Sequence, residues 1–202
     1  MIIGGIQPCS FSDYPGKPAA VIFTQGCNFC CPFCHNVALL SRRKTATLSK
    51  RICLDFLNKR KSQLDAVVIS GGEPCIHADL PDFIREIRLF GYPVKLDTNG
   101  TRPKMVKQLL DEQLLDYIAM DIKAPLAKYD QLSSVPVNTE DIGASIKIIG
   151  NCKISHHFRT TRVTQLLTPN DLSAIRESIP SGSQYILQPF VAENALMMNK
   201  TC

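Results

Sequence analysis

Thr24-Gln25-Gly26-Cys27-Asn28-Phe29-Cys30-Cys31-Pro32-Phe33-Cys34-His35-Asn36 follows directly on the apolar run Ala19 to Phe23 and packs four cysteines into eight residues. The run reads as a buried strand, which puts the cysteines on the loop at its carboxyl end. Ligands and chemistry collect at that end of the sheet in α/β architectures. Soft sulfur ligands this close in sequence select iron–sulfur clusters, zinc or cuprous ions. Cys27, Cys31 and Cys34 form C-x3-C-x2-C, with the aromatic Phe33 just before the last cysteine. All four cysteines also read as two C-x2-C pairs, the ligand set of a closed zinc site. Zinc sites usually draw their pairs from separate loops, and adjacent Cys30 and Cys31 are hard to place in one tetrahedron. Buried free thiols are the third reading, and a cluster this dense disfavours it.

The chain has 202 residues, 45% of them hydrophobic, which suits one globular domain with a sizeable core. No apolar run approaches the length that spans a bilayer. The start, Met1-Ile2-Ile3-Gly4-Gly5, lacks the basic and apolar regions of a secretory signal, so a cytoplasmic protein without membrane association is expected. Nine cysteines in such a chain favour metal binding over a disulfide framework. Cys9, Cys53, Cys75, Cys152 and Cys202 are scattered and read as packing residues or free thiols. The net charge of +5 is modest. Arg42-Arg43-Lys44, Lys50-Arg51 and Lys59-Arg60-Lys61 concentrate it after the cysteine loop, but no aromatics interleave them, so a nucleic-acid partner is not expected.

Residues 7–18 are rich in turn formers and read as an irregular lead-in. Strands are expected at Ala19 to Thr24, Ala66 to Ser70, Pro93 to Asp97, Tyr117 to Ile122, His157 to Val163 and Tyr185 to Phe190. Helices are expected over Leu48 to Leu64, Leu80 to Phe90, Pro103 to Glu112, Thr139 to Ile149 and Asn170 to Ser178. Asp79 beside Pro81 is a candidate N-cap, and Gly91 a stop. Ala124 to Val137, broken by Pro125 and Pro136, reads as a long connection. Alternating β and α elements imply a parallel sheet. A closed eightfold barrel usually takes about 250 residues, so six units in this length suggest an open partial barrel or a doubly wound sheet.

Strands one to four each end in polar groups: the cysteines, then Glu73, then Asp97 with Asn99, then Asp121 with Lys123. The ends of successive parallel strands face one mouth. Each residue alone has a structural explanation: Glu73 could cap a helix, Asp97 could hold the Asn99-Gly100 turn, and Asp121 could pair with Lys123. Four such ends in a row favour a site. His156 and His157 lack spaced partners and read as structural or solvent-facing, and no histidine is placed to make Ser70 a nucleophile.

The cysteine loop resembles that of the radical S-adenosylmethionine (SAM) superfamily in its spacing and in the aromatic at Phe33. Asp13-Tyr14-Pro15-Gly16, Cys34-His35-Asn36, Gly71-Gly72-Glu73-Pro74, Asp97-Thr98-Asn99-Gly100 and Asp121-Ile122-Lys123 narrow the likeness to the glycyl-radical-enzyme activases. The chain looks most like the activating proteins of anaerobic ribonucleoside-triphosphate reductase, from about Asp13 to Phe190. The resemblance implies an α/β fold of the partial (β/α)6 barrel type. It implies a [4Fe–4S] cluster on Cys27, Cys31 and Cys34, with Cys30 as the spare and SAM on the open iron. Gly71, Gly72 and Glu73 would hold the methionyl ammonium, Lys123 would lie near the carboxylate or ribose, Phe33 near the adenine, and Asn99 would join the SAM site. Asp97, Thr98 and Asp121 would match a monovalent-cation site. The implied activity is reductive SAM cleavage to a 5′-deoxyadenosyl radical, which takes hydrogen from a glycine of a partner enzyme, with flavodoxin or ferredoxin as electron donor. The alternatives are a small-molecule radical SAM enzyme such as 7-carboxy-7-deazaguanine synthase, or a non-catalytic zinc module.

Overall fold

The computed structural model describes residues 1–41 and 47–191. The basic run Arg42-Arg43-Lys44 and the tail from 192 onward, with Cys202, lie outside the described residues. Seven strands form one sheet in the order of the chain: β1 (Ile3–Ser10), β2 (Ala19–Thr24), β3 (Ala66–Gly71), β4 (Val94–Thr98), β5 (Tyr117–Asp121), β6 (Ser155–Arg162) and β7 (Gln184–Pro189). From β2 to β7 every neighbouring pair is parallel. The order never reverses, so there is no switch point of the doubly wound kind. The sheet winds one way, as a partial barrel does.

The first strand corrects the sequence reading. Part of the segment expected to be irregular, Gln7 to Ser10, belongs to β1, which pairs antiparallel with β2. Gly4, Gly5 and Pro8 hid it, because a sequence-based strand reading discounts all three. An edge strand tolerates them, and β1 is irregular in register between Ile3 and Gly5 and between Gln7 and Ser10.

Helices α1 (Lys50–Lys59), α2 (Leu80–Leu89), α3 (Pro103–Asp111), α5 (Thr139–Gly150) and α6 (Pro169–Ser178) fall where their periodicity predicts them, although α1 is shorter at both ends. Ser49 caps α1 through the Ile52 N–H, and Thr168 with Asp171 forms a capping box on α6. Asp79 precedes α2 but makes no side-chain cap. Its carboxylate is taken by the Met1 ammonium and by Lys50 Nζ at 2.5 Å. The connection after β5 is not irregular either. Pro125 opens a 3₁₀ turn at Leu126–Lys128 that runs into α4 (Tyr129–Ser133), and Ser134 ends it at a positive φ of 56°. The turn formers bound a short helix instead of excluding one.

Residues alternate across each strand, so one set packs under the helices and the other lines the inside of the curved sheet. Ile22, Val67, Ile69, Leu96, Ile118, Met120 and Phe158 belong to the helix-side core. Ala19, Val21, Ala66, Val68 and Tyr117 form a second, smaller cluster with Tyr14, whose ring meets Tyr117 edge-on at 5.9 Å. Burial on both faces explains the unbroken apolar runs. Above that floor the inner face turns polar, with Lys95 then Asp97 on β4, Asp121 on β5, and His157 then Arg159 on β6.

His156 and His157 behave as structural residues. The His156 ring meets Ser183 Oγ at 2.9 Å. His157 is buried, its Nδ1 2.9 Å from the Tyr117 hydroxyl. Burial, then the Lys95 and Arg159 charges, push its pKa down to about 4 against weaker opposition from Asp97 and Asp121. The neutral ring therefore contributes stability that is complete above the ordinary histidine value near 6.5 and is lost as pH falls from there towards 4. Denaturant titrations across that window should show stability falling with pH, the part due to His157 approaching about 1.4 kcal/mol per pH unit. His157→Gln should flatten that slope.

Candidate functional site: a thiol-lined cavity at the strand ends

The carboxyl ends of the parallel strands open into a cavity of about 850 Å³, counted out to its mouth. Cys27, Cys31 and Cys34 line it together with Phe33, Gly71, Gly72, Glu73, Asp97, Thr98, Asn99, Asp121 and Lys123. Every site residue expected from the sequence thus meets at one cavity. Cys30 is not on its wall. The Cys30 backbone N–H donates to Ser133 O at 2.8 Å, which ties the loop to the end of α4.

The cysteine loop is fixed from both sides. Gly26 N–H donates to Leu39 O (2.7 Å), and Gly26 O accepts from Glu73 N–H (2.9 Å). Asn28 reaches the end of β4, donating to Thr101 Oγ1 at 2.8 Å and accepting from Asn99 Nδ2 at 2.9 Å. Phe29 packs against Tyr129, and Lys123 N–H donates to the Tyr129 hydroxyl at 3.2 Å. Gly71 (φ +118°) and Gly72 allow the approach between β3 and the loop. A Cβ on Gly72 would stand 2.1 Å from Gly26 O, and one on Gly71 2.4 Å from Thr24 N.

The carboxylates have structural duties as well as cavity positions. Glu73 is 1% exposed. Its Oε1 accepts from Cys75 N–H (2.9 Å) and Thr98 Oγ1 (2.7 Å), and its Oε2 from Asn99 N–H (2.6 Å). It therefore does cap the short turn after β3, and it also joins β3 to β4. The Cys75 side chain is a further hydrogen-bonding neighbour of this carboxylate, which lines the cavity. Burial pushes the Glu73 pKa up, opposed by those donors. The Asn99-Gly100 turn is held by Asn99 and Thr98, not Asp97: Asn99 Oδ1 accepts from Thr101 N–H at 3.0 Å and Thr98 Oγ1 from Gly100 N–H at 3.2 Å. Asp121 pairs with Lys123 at 2.9 Å.

The residue that sequence reasoning left out of the site is Arg159. Its Nε donates to Asp121 Oδ1, and its Nη2 lies 3.2 Å from Asp97 Oδ2. Asp121 and Arg159 are register partners on β5 and β6. Strand alternation, counted upward from His157, is the signal that could have found it. Burial alone would raise both aspartates, but Arg159 with Lys95 holds Asp97 below the usual carboxylate range, and Arg159 with Lys123 does the same for Asp121.

The donor set fits an iron–sulfur cluster better than a single ion. Among the described residues, no three His, Cys, Asp or Glu side chains converge to hold one metal ion. A tetrahedral zinc brings all its sulfurs within about 2.3 Å of one point, whereas a cluster spreads its thiolates over separate irons. Burial raises all three thiols, Cys27 to about 12 and Cys31 to about 11, while Lys123 favours each thiolate. The Phe29 N–H already donates to Cys27 Sγ at 3.4 Å. Metal binding would displace the thiol protons.

Gly72→Ala should push Gly26 out of place and loosen Cys27. A loss of roughly 1–3 kcal/mol in stability is expected, with less iron bound on anaerobic reconstitution. Gly143→Ala is the control: nothing lies within 4 Å of the added methyl group, and a helix gains about 0.5–1 kcal/mol from the change. Thermal unfolding and iron analysis of both variants check this.

Comparison with known proteins agrees with this arrangement. The family described as the radical SAM superfamily matches residues 21–173. A Methanocaldococcus jannaschii protein provisionally named a glycyl-radical enzyme activating enzyme is 36% identical over 201 residues, 96% of this chain and 82% of that protein. A second protein from that organism, with the same provisional name, is 27% identical over 77% of this chain and 59% of its own length. The 7-carboxy-7-deazaguanine synthase of Aquifex aeolicus is 35% identical over 88 residues, 43% of this chain and 38% of that enzyme. Among solved structures, Streptococcus suis SuiB bound to its precursor peptide SuiA superposes with a TM-score of 0.69 at 12% identity, over 90% of this chain and 41% of SuiB. That likeness shows the fold, and the chain spans about two-fifths of that neighbour. The chain belongs to the radical SAM superfamily and is an enzyme of that class, working with a [4Fe–4S] cluster and S-adenosylmethionine.

Proposed function

We propose that this chain is an activating enzyme, which directs the radical made from SAM to a backbone glycine of a large partner enzyme. The observation that carries this reading is the match over 96% of the chain to a protein provisionally named for that role. An open cavity at the ends of an unclosed sheet supports it, because a loop of another protein needs an entrance. Anaerobic ribonucleoside-triphosphate reductase, or a similar glycyl-radical enzyme, is the partner proposed. A flavodoxin or ferredoxin is the electron donor proposed.

When bound, the cluster and SAM supply reductive cleavage of the sulfur–C5′ bond, which gives methionine and the 5′-deoxyadenosyl radical. Cys27, Cys31 and Cys34 would hold three irons and leave the fourth for SAM. Glu73 lines the cavity and would offer its carboxylate to the ammonium group, and the Gly71-Gly72 backbone permits close approach. Lys123 and Arg159 supply positive charge for the carboxylate. Phe33, 4% exposed, and Phe29, 5% exposed, form apolar wall that excludes water from the adenosyl end. Among the described residues, no helix is long and apolar enough to cross a membrane, and we place the reaction in the cytoplasm.

The Aquifex match favours a second reading, a small-molecule substrate handled by the same SAM machinery. Both readings require that the anaerobically reconstituted, reduced chain make 5′-deoxyadenosine from SAM, and that Cys27→Ser, Cys31→Ser and Cys34→Ser each reduce product to background. Cys30→Ser should leave most of it. With a glycyl-radical enzyme added, electron paramagnetic resonance should show a glycyl radical on the partner. SAM cleavage with no radical on any such partner would remove the activase reading and leave the small-molecule one.

A further inference from the structure

We propose that positive charges fixed in this chain replace the monovalent cation that the resemblance would put among Asp97, Thr98 and Asp121. SAM binding then needs neither potassium nor sodium. The inference rests on membership of the superfamily and is independent of the identity of the partner.

Each side-chain oxygen of Asp97, Thr98 and Asp121 already has a partner. Asp97 Oδ1 is 2.5 Å from Lys95 Nζ, and Asp97 Oδ2 is 3.2 Å from Arg159 Nη2 and 3.1 Å from Ser70 Oγ. Asp121 Oδ1 accepts from Arg159 Nε, and Asp121 Oδ2 is 2.9 Å from Lys123 Nζ. Thr98 Oγ1 donates to Glu73 and accepts from Gly100 N–H. The guanidinium is a planar fork that meets two carboxylates at once, which a lysine cannot do.

The charge balance points the same way. Lys95, Lys123 and Arg159 set three positive charges against the two of Asp97 and Asp121. The Lys95 side chain is 2% exposed, that of Asp97 7% and that of Arg159 17%, so water screens them little. A further cation would raise the count to four against two. Lys95 does not serve the ligand directly. It is absent from the cavity wall and sits beneath Asp97 with its Nζ 5.9 Å from the Tyr117 ring centroid. Its ammonium takes the carboxylate oxygen that Arg159 does not reach. Lys95 is thus a positioning residue, and together with Arg159, which also faces the cavity, it holds Asp97 and Asp121 at the cavity floor in one charge state.

The test uses the cluster-loaded chain without any partner, under anaerobic conditions. SAM affinity by equilibrium dialysis and the thermal midpoint are measured in potassium chloride, sodium chloride and N-methylglucamine chloride at equal ionic strength. The native chain should show the same affinity in all three within about twofold, as screening alone allows. A saturable gain of about tenfold with potassium or sodium would overturn the proposal. Arg159→Ala should lose roughly 10 °C in midpoint and should regain part of that loss, and of its SAM affinity, in potassium or sodium but not in N-methylglucamine. Equal loss in all three salts would overturn it. If Arg159→Ala does not fold, Lys95→Met is read in the same way: it should acquire a potassium or sodium response, and its failure to do so counts against the proposal.

Discussion

The Glu73 carboxylate, with the peptide N–H in front of it, is the joint on which the rest of the site depends. Its N–H holds Gly26 at the head of the cysteine loop, and its two oxygens hold the first turn after β3 and the end of β4. Three consecutive strand ends are thereby locked at one height, so side chains from β2, β3 and β4 reach the same cavity. In a buried place an acceptor left without donors would cost about 1–3 kcal/mol, and more for a charged group. Satisfying it with three donors from two different segments, the turn after β3 and the end of β4, fixes how those segments meet.

Beyond that joint the cavity has two chemically separate walls. On one side, three thiols, one buried and two half-buried, hold their protons until a metal displaces them. On the other, two aspartates are kept ionised by buried cations. Lys123 belongs to both walls, because it pairs with Asp121 and favours the thiolates. A zwitterionic ligand with an ammonium and a carboxylate matches this division, since the Glu73 carboxylate and the cations of Lys123 and Arg159 line the same cavity.

The six parallel strands and most of the site could be read from the sequence because those signals are local. An apolar run buried on two faces looks the same in any context, and a strand end announces itself by its first polar residue. Four features were not legible. β1 is built from glycines and a proline that only an edge position tolerates. The helix after Pro125 looked like a broken loop because proline marks a start as readily as a stop. Asn28 acts through contacts with Asn99 and Thr101, more than seventy residues away. Alternation could have put Arg159 on the inner face, but its place beside Asp121 depends on the register of two parallel strands, which the sequence does not carry.

The order of the strands in the sheet has a consequence for how the chain acquires its shape. Each strand pairs with the one made just before it, so a chain leaving the ribosome can add strands in turn without waiting for a distant segment. Glu73 is in place once β4 has docked, and the cysteine loop once α4 follows β5. Asp97 and Asp121 must wait longer, because their shared guanidinium arrives only with β6. During synthesis the thiol wall is therefore assembled first, and the cavity floor reaches its final charge balance only when the sixth strand joins.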